Sequence, residues 1–139
     1  MEEFARVLVI EDSKTDVFLI REALDIAGVR AELDVVHDGQ AALRFLDEEA
    51  RPALVLLDLN LPKYSGREIL RHIRTNLRTK DLAVLVVTSS ALSQDREELT
   101  ALGFDGYFQK PSGYEAFLKL GPLVKGLLER RGSESTKVD

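Results

Sequence analysis

The chain has 139 residues, a formal net charge of −5 and no cysteine. Its length suits one domain with one core, and the lack of cysteine excludes disulfides, thiolate nucleophiles and thiolate metal sites. The acidic charge argues against a nucleic-acid-binding surface, and no apolar run approaches the ~20 residues of a membrane span. The N-terminal residues lack the basic-then-apolar order of a signal peptide, so we expect a cytoplasmic protein.

The first half of the chain predicts two strand–helix repeats. A β-branched apolar run over 6–10 predicts a buried strand, and Ser13 follows it as a helix N-cap with Asp16 in the capping-box position. Apolar residues at helical spacing then continue to Gly28, which favours the end of a helix. Residues 31–36 predict a second strand, and a turn and a second helix follow it.

The second half predicts three more repeats. Residues 54–58 are a continuous apolar run that ends in an aspartate, which is typical of a strand buried on both faces of a parallel sheet. Ser65 and Glu68 form a capping-box pair before a third helix, whose apolar positions extend to Leu77. A fourth strand, a fourth helix capped by Ser93 and a short fifth strand follow. These last two strands are predicted over 82–88 and 107–109.

Five strand–helix repeats predict an α/β protein with a parallel sheet, right-handed crossovers and helices on both faces. We place one domain over 5–131 and a polar, frayed C-terminal tail over 132–139. Along the third helix, basic residues at helical spacing predict a solvated face. They are Arg67, Arg71, Arg74 and Arg78.

The last helix, from about Tyr114 to about Arg131, contains a glycine–proline pair. Because proline removes a backbone hydrogen bond inside a helix, this pair predicts a kink or break near Gly121. The alternative is a short helix that ends at Leu120 and a second helix with Pro122 in its first turn, where proline is tolerated.

Polar residues collect where the predicted strands end. Asp58 follows the third strand, and taken alone it is either a reactive carboxylate or a polar residue that merely ends a strand. The others are Glu11, Asp12, Thr88 and Lys110. Neighbouring carboxylates need a cation or shared protons, and oxygen ligands without histidine or cysteine suit Mg²⁺. A cation, a lysine and a hydroxyl suit a phosphoryl group in transfer, for which a carboxylate can be the nucleophile.

These positions together resemble the signature of receiver domains of two-component response regulators, over nearly the whole of 5–131. The residues that carry the resemblance are Glu11-Asp12, Asp58 with Asn60 and Pro62, Thr88, and Lys110-Pro111. The resemblance implies a flavodoxin-like, doubly wound sheet of five parallel strands in the order 2-1-3-4-5. It also implies a sensor histidine kinase as partner and Mg²⁺ as cofactor.

The resemblance further implies a role for each residue. Asp58 would accept the phosphoryl group, and Lys110 and Thr88 would bind it. The magnesium ligands would be Glu11, Asp12, Asp58 and the backbone carbonyl of Asn60. Many receivers have aspartate at the position of Glu11, and we expect its longer arm to reach the metal, in part through water. Thr88 and Tyr107 would form a conformational switch, although an aromatic residue in a short strand can equally be packing.

Residues 58–68 are also similar to a narrower group, the single-domain regulators that serve bacterial phytochrome kinases. We therefore expect a stand-alone receiver whose binding surface changes on phosphorylation, with self-association into a homodimer through a face reshaped at Gly121. The alternative is a phosphorelay shuttle to a histidine phosphotransfer protein. A phosphatase of the aspartate-nucleophile type is disfavoured because Asn60 cannot act as an acid or base. The intact acidic set argues against a degenerate scaffold. We expect only self-phosphorylation and slow autodephosphorylation.

Overall fold

The computed structural model describes residues 4–48, 51–89 and 96–137. Its parallel strands form one five-stranded sheet in the order β2-β1-β3-β4-β5, so the predicted flavodoxin-like fold is confirmed. The strands are β1 (Ala5–Ile10), β2 (Ala31–Val36), β3 (Leu54–Leu57), β4 (Val84–Thr88) and β5 (Gly106–Gln109). The helices are α1 (Lys14–Ile26), α2 (Gly39–Asp47), α3 (Gly66–Thr75), α4 (Arg96–Leu102), α5 (Tyr114–Phe117) and α6 (Leu120–Lys137).

The central strand β1 divides the core between the two faces of the sheet. Successive side chains of a strand point to opposite faces. Val7 and Val9 therefore pack with α1, α5 and α6, whereas Leu8 and Ile10 pack with α2, α3 and α4. All four of these side chains are fully buried. Burial on both faces explains why residues 7–10 of β1 and all of β3 are continuous apolar runs without alternating polar residues.

The strand register places the ends of β1 and β3 side by side. Ile10 pairs with Leu57 in the parallel ladder, so the residues that follow them, Glu11 and Asp58, leave the sheet at the same edge. The Asp58 backbone N–H donates to the carbonyl of Ile10 at 3.1 Å, which extends the ladder to the first residue beyond β3. Sheet register thus determines which polar residues can meet.

The helix caps differ in part from the expectation. In α3 the capping box is complete, with Ser65 and Glu68 bonded reciprocally. In α1 the Ser13 hydroxyl accepts from the Asp16 N–H, but the Ser13 N–H donates to a carboxylate oxygen of Glu11 at 3.1 Å instead of to Asp16. The capping box predicted at Ser13 is therefore only half formed. The predicted cap Ser93 lies outside the described residues.

The prediction that Leu77 belongs to the apolar face of α3 is wrong. The helix ends at Thr75, and Leu77 is 82% exposed. The next residue, Asn76, has an extended backbone, and its side-chain oxygen accepts from the N–H of Arg78 at 3.0 Å. An asparagine that bonds the backbone two residues on competes with helix continuation, and apolar spacing alone could not reveal this.

The predicted break in the last helix is confirmed and gives two helices, although the first ends at Phe117 and not at Leu120 as the alternative expected. Helix α5 ends at Phe117, and α6 begins at Leu120 with Pro122 in its first turn, where its missing N–H costs no helical hydrogen bond. A Cβ atom on Gly121 would lie 2.3 Å from the carbonyl oxygen of Ala23, so α6 approaches α1 closely there. Helix α6 continues to Lys137, through most of the segment that we expected to be frayed.

The prediction of a solvated basic face on α3 is confirmed at Arg71, whose side chain is 51% exposed, and is wrong at Arg74. Arg74 donates to the carbonyls of Gly103 at 3.0 Å and Leu82 at 2.6 Å, and only 15% of its side chain is exposed. Arg67 and Arg71 both pair with Glu98 of α4. Beyond the helix, Arg78 donates to the carbonyls of residues 47 and 48 at the end of α2. These arginines fasten α3 to its neighbours, a role that helical spacing does not reveal.

Within the described part of the chain, the helices are too short or too polar to cross a lipid bilayer.

Candidate functional site

Three predicted carboxylates meet at the carboxyl edge of the sheet. The side chains of Glu11, Asp12 and Asp58, called the acidic cluster below, each offer an oxygen within 4.8 Å of the others. Glu11 and Asp58 are 2% and 5% exposed, whereas Asp12 is exposed. Because buried carboxylates at this separation repel one another, the acidic cluster requires positive charge nearby.

Lys110 supplies that positive charge from the end of β5. Its ammonium group donates to Glu11 Oε1 at 2.6 Å and to Asp58 Oδ2 at 3.1 Å, with 8% of its side chain exposed. Its backbone N–H donates to the carbonyl of Thr88 at 2.8 Å, which fixes the start of the loop after β5. The lysine thus lies directly against the residue predicted to accept a phosphoryl group.

Sequence reasoning missed a further partner of the lysine, Asp16. Its Oδ2 accepts from the Lys110 ammonium at 2.8 Å. The sequence analysis placed Asp16 in the capping box of α1, because it lies three residues after Ser13. One available signal was its position in the first turn of the helix after β1, which lies at the same edge of the sheet as the acidic cluster.

The backbone after β3 and the end of β4 complete the site. The Asn60 N–H donates to Asp58 Oδ1 at 3.0 Å, so the two oxygens of Asp58 face different partners. The Asn60 amide contacts the Thr88 hydroxyl at 3.5 Å, and Thr88 is fully buried. Asn60 therefore links Asp58 to Thr88, through its backbone N–H on one side and its side-chain amide on the other. The role of the Asn60 carbonyl stays a prediction.

Tyr107 lies on β5, the strand next to Thr88. Its side chain is half-buried, and its ring centre is 6.4 Å from that of Phe104 at an angle of 51°. Burial raises the pKa of its hydroxyl. The structure places Thr88 and Tyr107 on adjacent strands, in the ladder that pairs Val86 with Tyr107. Their part in a switch stays a prediction.

Burial and hydrogen bonding have opposite effects on the pKa values of Glu11 and Lys110. Burial raises the pKa of Glu11 to about 7, against the lowering effect of the Lys110 hydrogen bond, and the nearby charge of Asp58 adds to the rise. Burial lowers the pKa of Lys110, but its hydrogen bonds to Asp16 and Glu11 outweigh that effect and raise it. Lys110 is therefore positively charged at neutral pH in the folded protein.

The raised pKa of Glu11 predicts that the metal-free protein loses stability as pH rises. The folded state binds more protons than the unfolded state between the ordinary value of 4.5 and the folded value of about 7. This stabilisation is fully present below about pH 4.5 and disappears as pH passes about 7. We expect the urea midpoint in a chelator to fall between about pH 5 and about pH 8. An equal fall in Glu11→Gln would contradict this origin.

The donor chemistry of the acidic cluster fits a hard divalent cation. Its three side chains offer only carboxylate oxygens, and the cluster includes neither histidine nor cysteine. Mg²⁺ is held in proteins by one or two carboxylates together with waters, and Asp12 is exposed to solvent. A cation there would reduce the repulsion within the cluster, and it would compete with Lys110 for two of the same carboxylates.

The fold and this edge of the sheet define a receiver of the two-component type, and comparison with known proteins agrees. Residues 7–120 match the response regulator receiver domain. The chain belongs to this family.

The similarity extends to individual regulators. The chain is 37% identical over 127 residues to the response regulator Rcp1 of Synechocystis sp., covering 87% of this chain and 84% of Rcp1. The structure of the phosphorylated cyanobacterial phytochrome response regulator RcpA superposes with a TM-score of 0.82 at 30% identity, covering 91% of this chain and 94% of RcpA. The Mn²⁺-bound form of Rcp1 superposes with a TM-score of 0.80 at 34% identity, covering 88% and 92%.

Proposed function

We propose that this chain is a phosphorylation switch in which Asp58 accepts a phosphoryl group from the phosphohistidine of a sensor histidine kinase. The observation that carries the proposal is the environment of Asp58. It is buried in the acidic cluster, and one oxygen pairs with Lys110 while the other accepts from the Asn60 N–H. A carboxylate held by fixed donors next to a cation site is arranged to attack a phosphorus atom.

In the proposed reaction, an oxygen of Asp58 forms a bond to phosphorus while the bond from phosphorus to the histidine nitrogen breaks. The histidine nitrogen keeps the bonding electron pair, and a proton carried by the other ring nitrogen makes the departing imidazole neutral. Glu11, Asp12, Asp58 and the Asn60 carbonyl would hold Mg²⁺. When bound, this ion supplies positive charge for the phosphoryl oxygens. Lys110, which donates to Asp58, and the Thr88 hydroxyl, which contacts the Asn60 amide, would bind these oxygens.

The output of such a receiver is a change in binding rather than turnover of a substrate. Phosphorylation adds charge beside Thr88, and a shift of Thr88 and Tyr107 would transmit it to the surface around β5. That surface would select a second copy of the chain. Asn60 leaves no acid or base two residues after Asp58, so slow autodephosphorylation is the expected hydrolysis. Similarity to Rcp1 and RcpA supports a phytochrome-type kinase as donor, and we place the exchange in the cytoplasm.

Labelling by a small phosphodonor tests the proposal. We expect acetyl phosphate with Mg²⁺ to add one acid-labile phosphoryl group to the wild-type chain, measured by intact mass, and none to Asp58→Asn. The matched control is Asp25→Asn, which changes an exposed aspartate of α1 in the same way. It should be labelled like the wild type. Because Asp58→Asn removes one charge from a crowded cluster, its urea midpoint should not fall.

Persistent labelling of Asp58→Asn would assign the phosphoryl group to another residue. Equal labelling with and without a chelator would contradict the metal requirement. A purified phytochrome-type kinase could phosphorylate itself but transfer nothing to the wild-type chain, while acetyl phosphate still labels Asp58. That result would reject the assigned donor but not the role of Asp58.

A further inference from the structure

The carboxylate of Asp16 is turned away from the helix that contains it. In α3 the acid at the equivalent position, Glu68, accepts from the N–H of Ser65 and closes the capping box. Asp16 occupies this position in α1, yet its carboxylate pairs with Lys110 at 2.8 Å and leaves the Ser13 N–H to Glu11. The local preference of an acid in a first turn is thus overridden by a contact 94 residues away in sequence.

Lys110 has three carboxylate acceptors, but they are not equivalent. Glu11 and Asp58 belong to the acidic cluster, whereas Asp16 does not. A divalent cation in the cluster would compete with the ammonium group for Glu11 and Asp58, because both charges seek the same oxygens. Asp16 lies outside the acidic cluster, so its carboxylate would still be available to Lys110 when a cation is bound. Asp16 is also the more accessible acceptor, with 24% of its side chain exposed.

We propose that Asp16 is a positioning residue that keeps the Lys110 ammonium group beside Asp58 while a metal occupies the acidic cluster. The proposal rests on the proposed function of Asp58. A lysine stem has four flexible carbons, and its ammonium group is a mobile point charge. Held on one side by Asp16 of α1, that charge stays within reach of the oxygens of an incoming phosphoryl group. Without Asp16, the metal-loaded site would have to order the lysine during the reaction.

Two other roles for Asp16 give different results. If it only contributed negative charge, its loss would raise the Mg²⁺ concentration for half-maximal phosphorylation and leave the maximal rate unchanged. If it only stabilised α1, its loss would lower the urea midpoint and leave the rate of the folded protein unchanged. A positioning role instead lowers the maximal rate at saturating Mg²⁺, because the lysine is misplaced in every metal-loaded molecule.

The test compares Asp16→Ala with Asp16→Glu and with Glu68→Ala, the matched loss of an acid from the first turn of α3. We expect the maximal rate of labelling by acetyl phosphate at saturating Mg²⁺ to fall about five- to tenfold in Asp16→Ala. Asp16→Glu should recover most of the rate, since glutamate can still pair with the ammonium group. Glu68→Ala should keep the wild-type rate while losing stability, because it removes half of a capping box.

A second measurement does not depend on phosphorylation. The measurement uses the NMR signal of the Lys110 ammonium group in ¹⁵N-labelled protein loaded with Mg²⁺. The signal is assigned by its loss in Lys110→Met, and it is visible only when the lysine is held in one place. It should be visible in the wild type and in Asp16→Glu and should disappear in Asp16→Ala. A wild-type maximal rate in Asp16→Ala, or an unchanged ammonium signal, would overturn the proposal. Wild-type protein that is not labelled at all would overturn the function of Asp58 instead, and the ammonium signal would still decide the role of Asp16.

Discussion

In the absence of divalent cations at neutral pH, Lys110→Met should lower the free energy of unfolding by about 3 kcal/mol. Methionine preserves most of the length of the stem but removes the charge that pairs with Glu11, Asp16 and Asp58. Glu11 and Asp58 are almost completely buried, so their carboxylates would be left without a cation. Urea unfolding in a chelator measures the loss, and labelling by acetyl phosphate should become very slow because the phosphoryl oxygens lose a cationic partner.

The same variant should gain more from Mg²⁺ than the wild type does. In the wild type the metal must displace an ammonium group from two carboxylates, whereas in Lys110→Met it meets no such competitor. The urea midpoint of the variant should therefore rise further on addition of Mg²⁺, and it should also rise as pH falls and carboxylates take up protons.

The control for Lys110→Met is Lys63→Met. Lys63 lies 4.0 Å from Asp38 with 59% of its side chain exposed, and an exposed ion pair contributes little to stability. Both variants lose one positive charge from the same net-negative chain. A similar loss of stability in both variants would show that overall charge, and not the pairing of Lys110 with buried acids, explains the effect.

The sequence was sufficient to predict the acidic cluster because the sheet itself assembles it. Asp58 and Glu11 directly follow buried apolar strands, and parallel strands that pair in register bring such residues to one edge. Resemblance to a family then ordered the strands. Neither step requires knowledge of a side-chain conformation, since the backbone alone determines which residues meet.

The sequence was insufficient where a side chain has two possible partners. Asp16 could cap α1 or pair with a lysine, and Arg74 could face solvent or bond loop carbonyls. In both cases the distant partner prevails, because a buried or half-buried polar group gains more from a charge-assisted bond than an exposed group does. The spacing of residues within one helix gives no information about a partner 94 or 29 residues away in the sequence. The prediction for Leu77 was wrong for a related reason. The Asn76 side chain bonds the backbone of Arg78, and the helix ends before Leu77.

The second large effect is expected at Gly66, the first residue of α3, where Gly66→Ala should lower the free energy of unfolding by about 3 kcal/mol. A Cβ atom there would lie 2.4 Å from the carbonyl oxygen of Asp58 and 2.5 Å from the Cα of Leu59. Both are backbone atoms, so no side-chain rotation relieves the clash. The Gly66 N–H also donates to the carbonyl of Leu59 at 3.0 Å, which holds the two segments at this separation.

The variant should also slow labelling in the molecules that remain folded, because the atoms that must move belong to Asp58 and its neighbour. The matched control is Gly126→Ala in α6, where a Cβ atom would meet nothing within 4 Å. In an exposed helix interior this change should stabilise the protein by about 0.5–1 kcal/mol and leave labelling unchanged. If Gly66→Ala were as stable as the wild type and labelled at the same rate, the loop after β3 would be free to shift, and its close contact with α3 would not position Asp58.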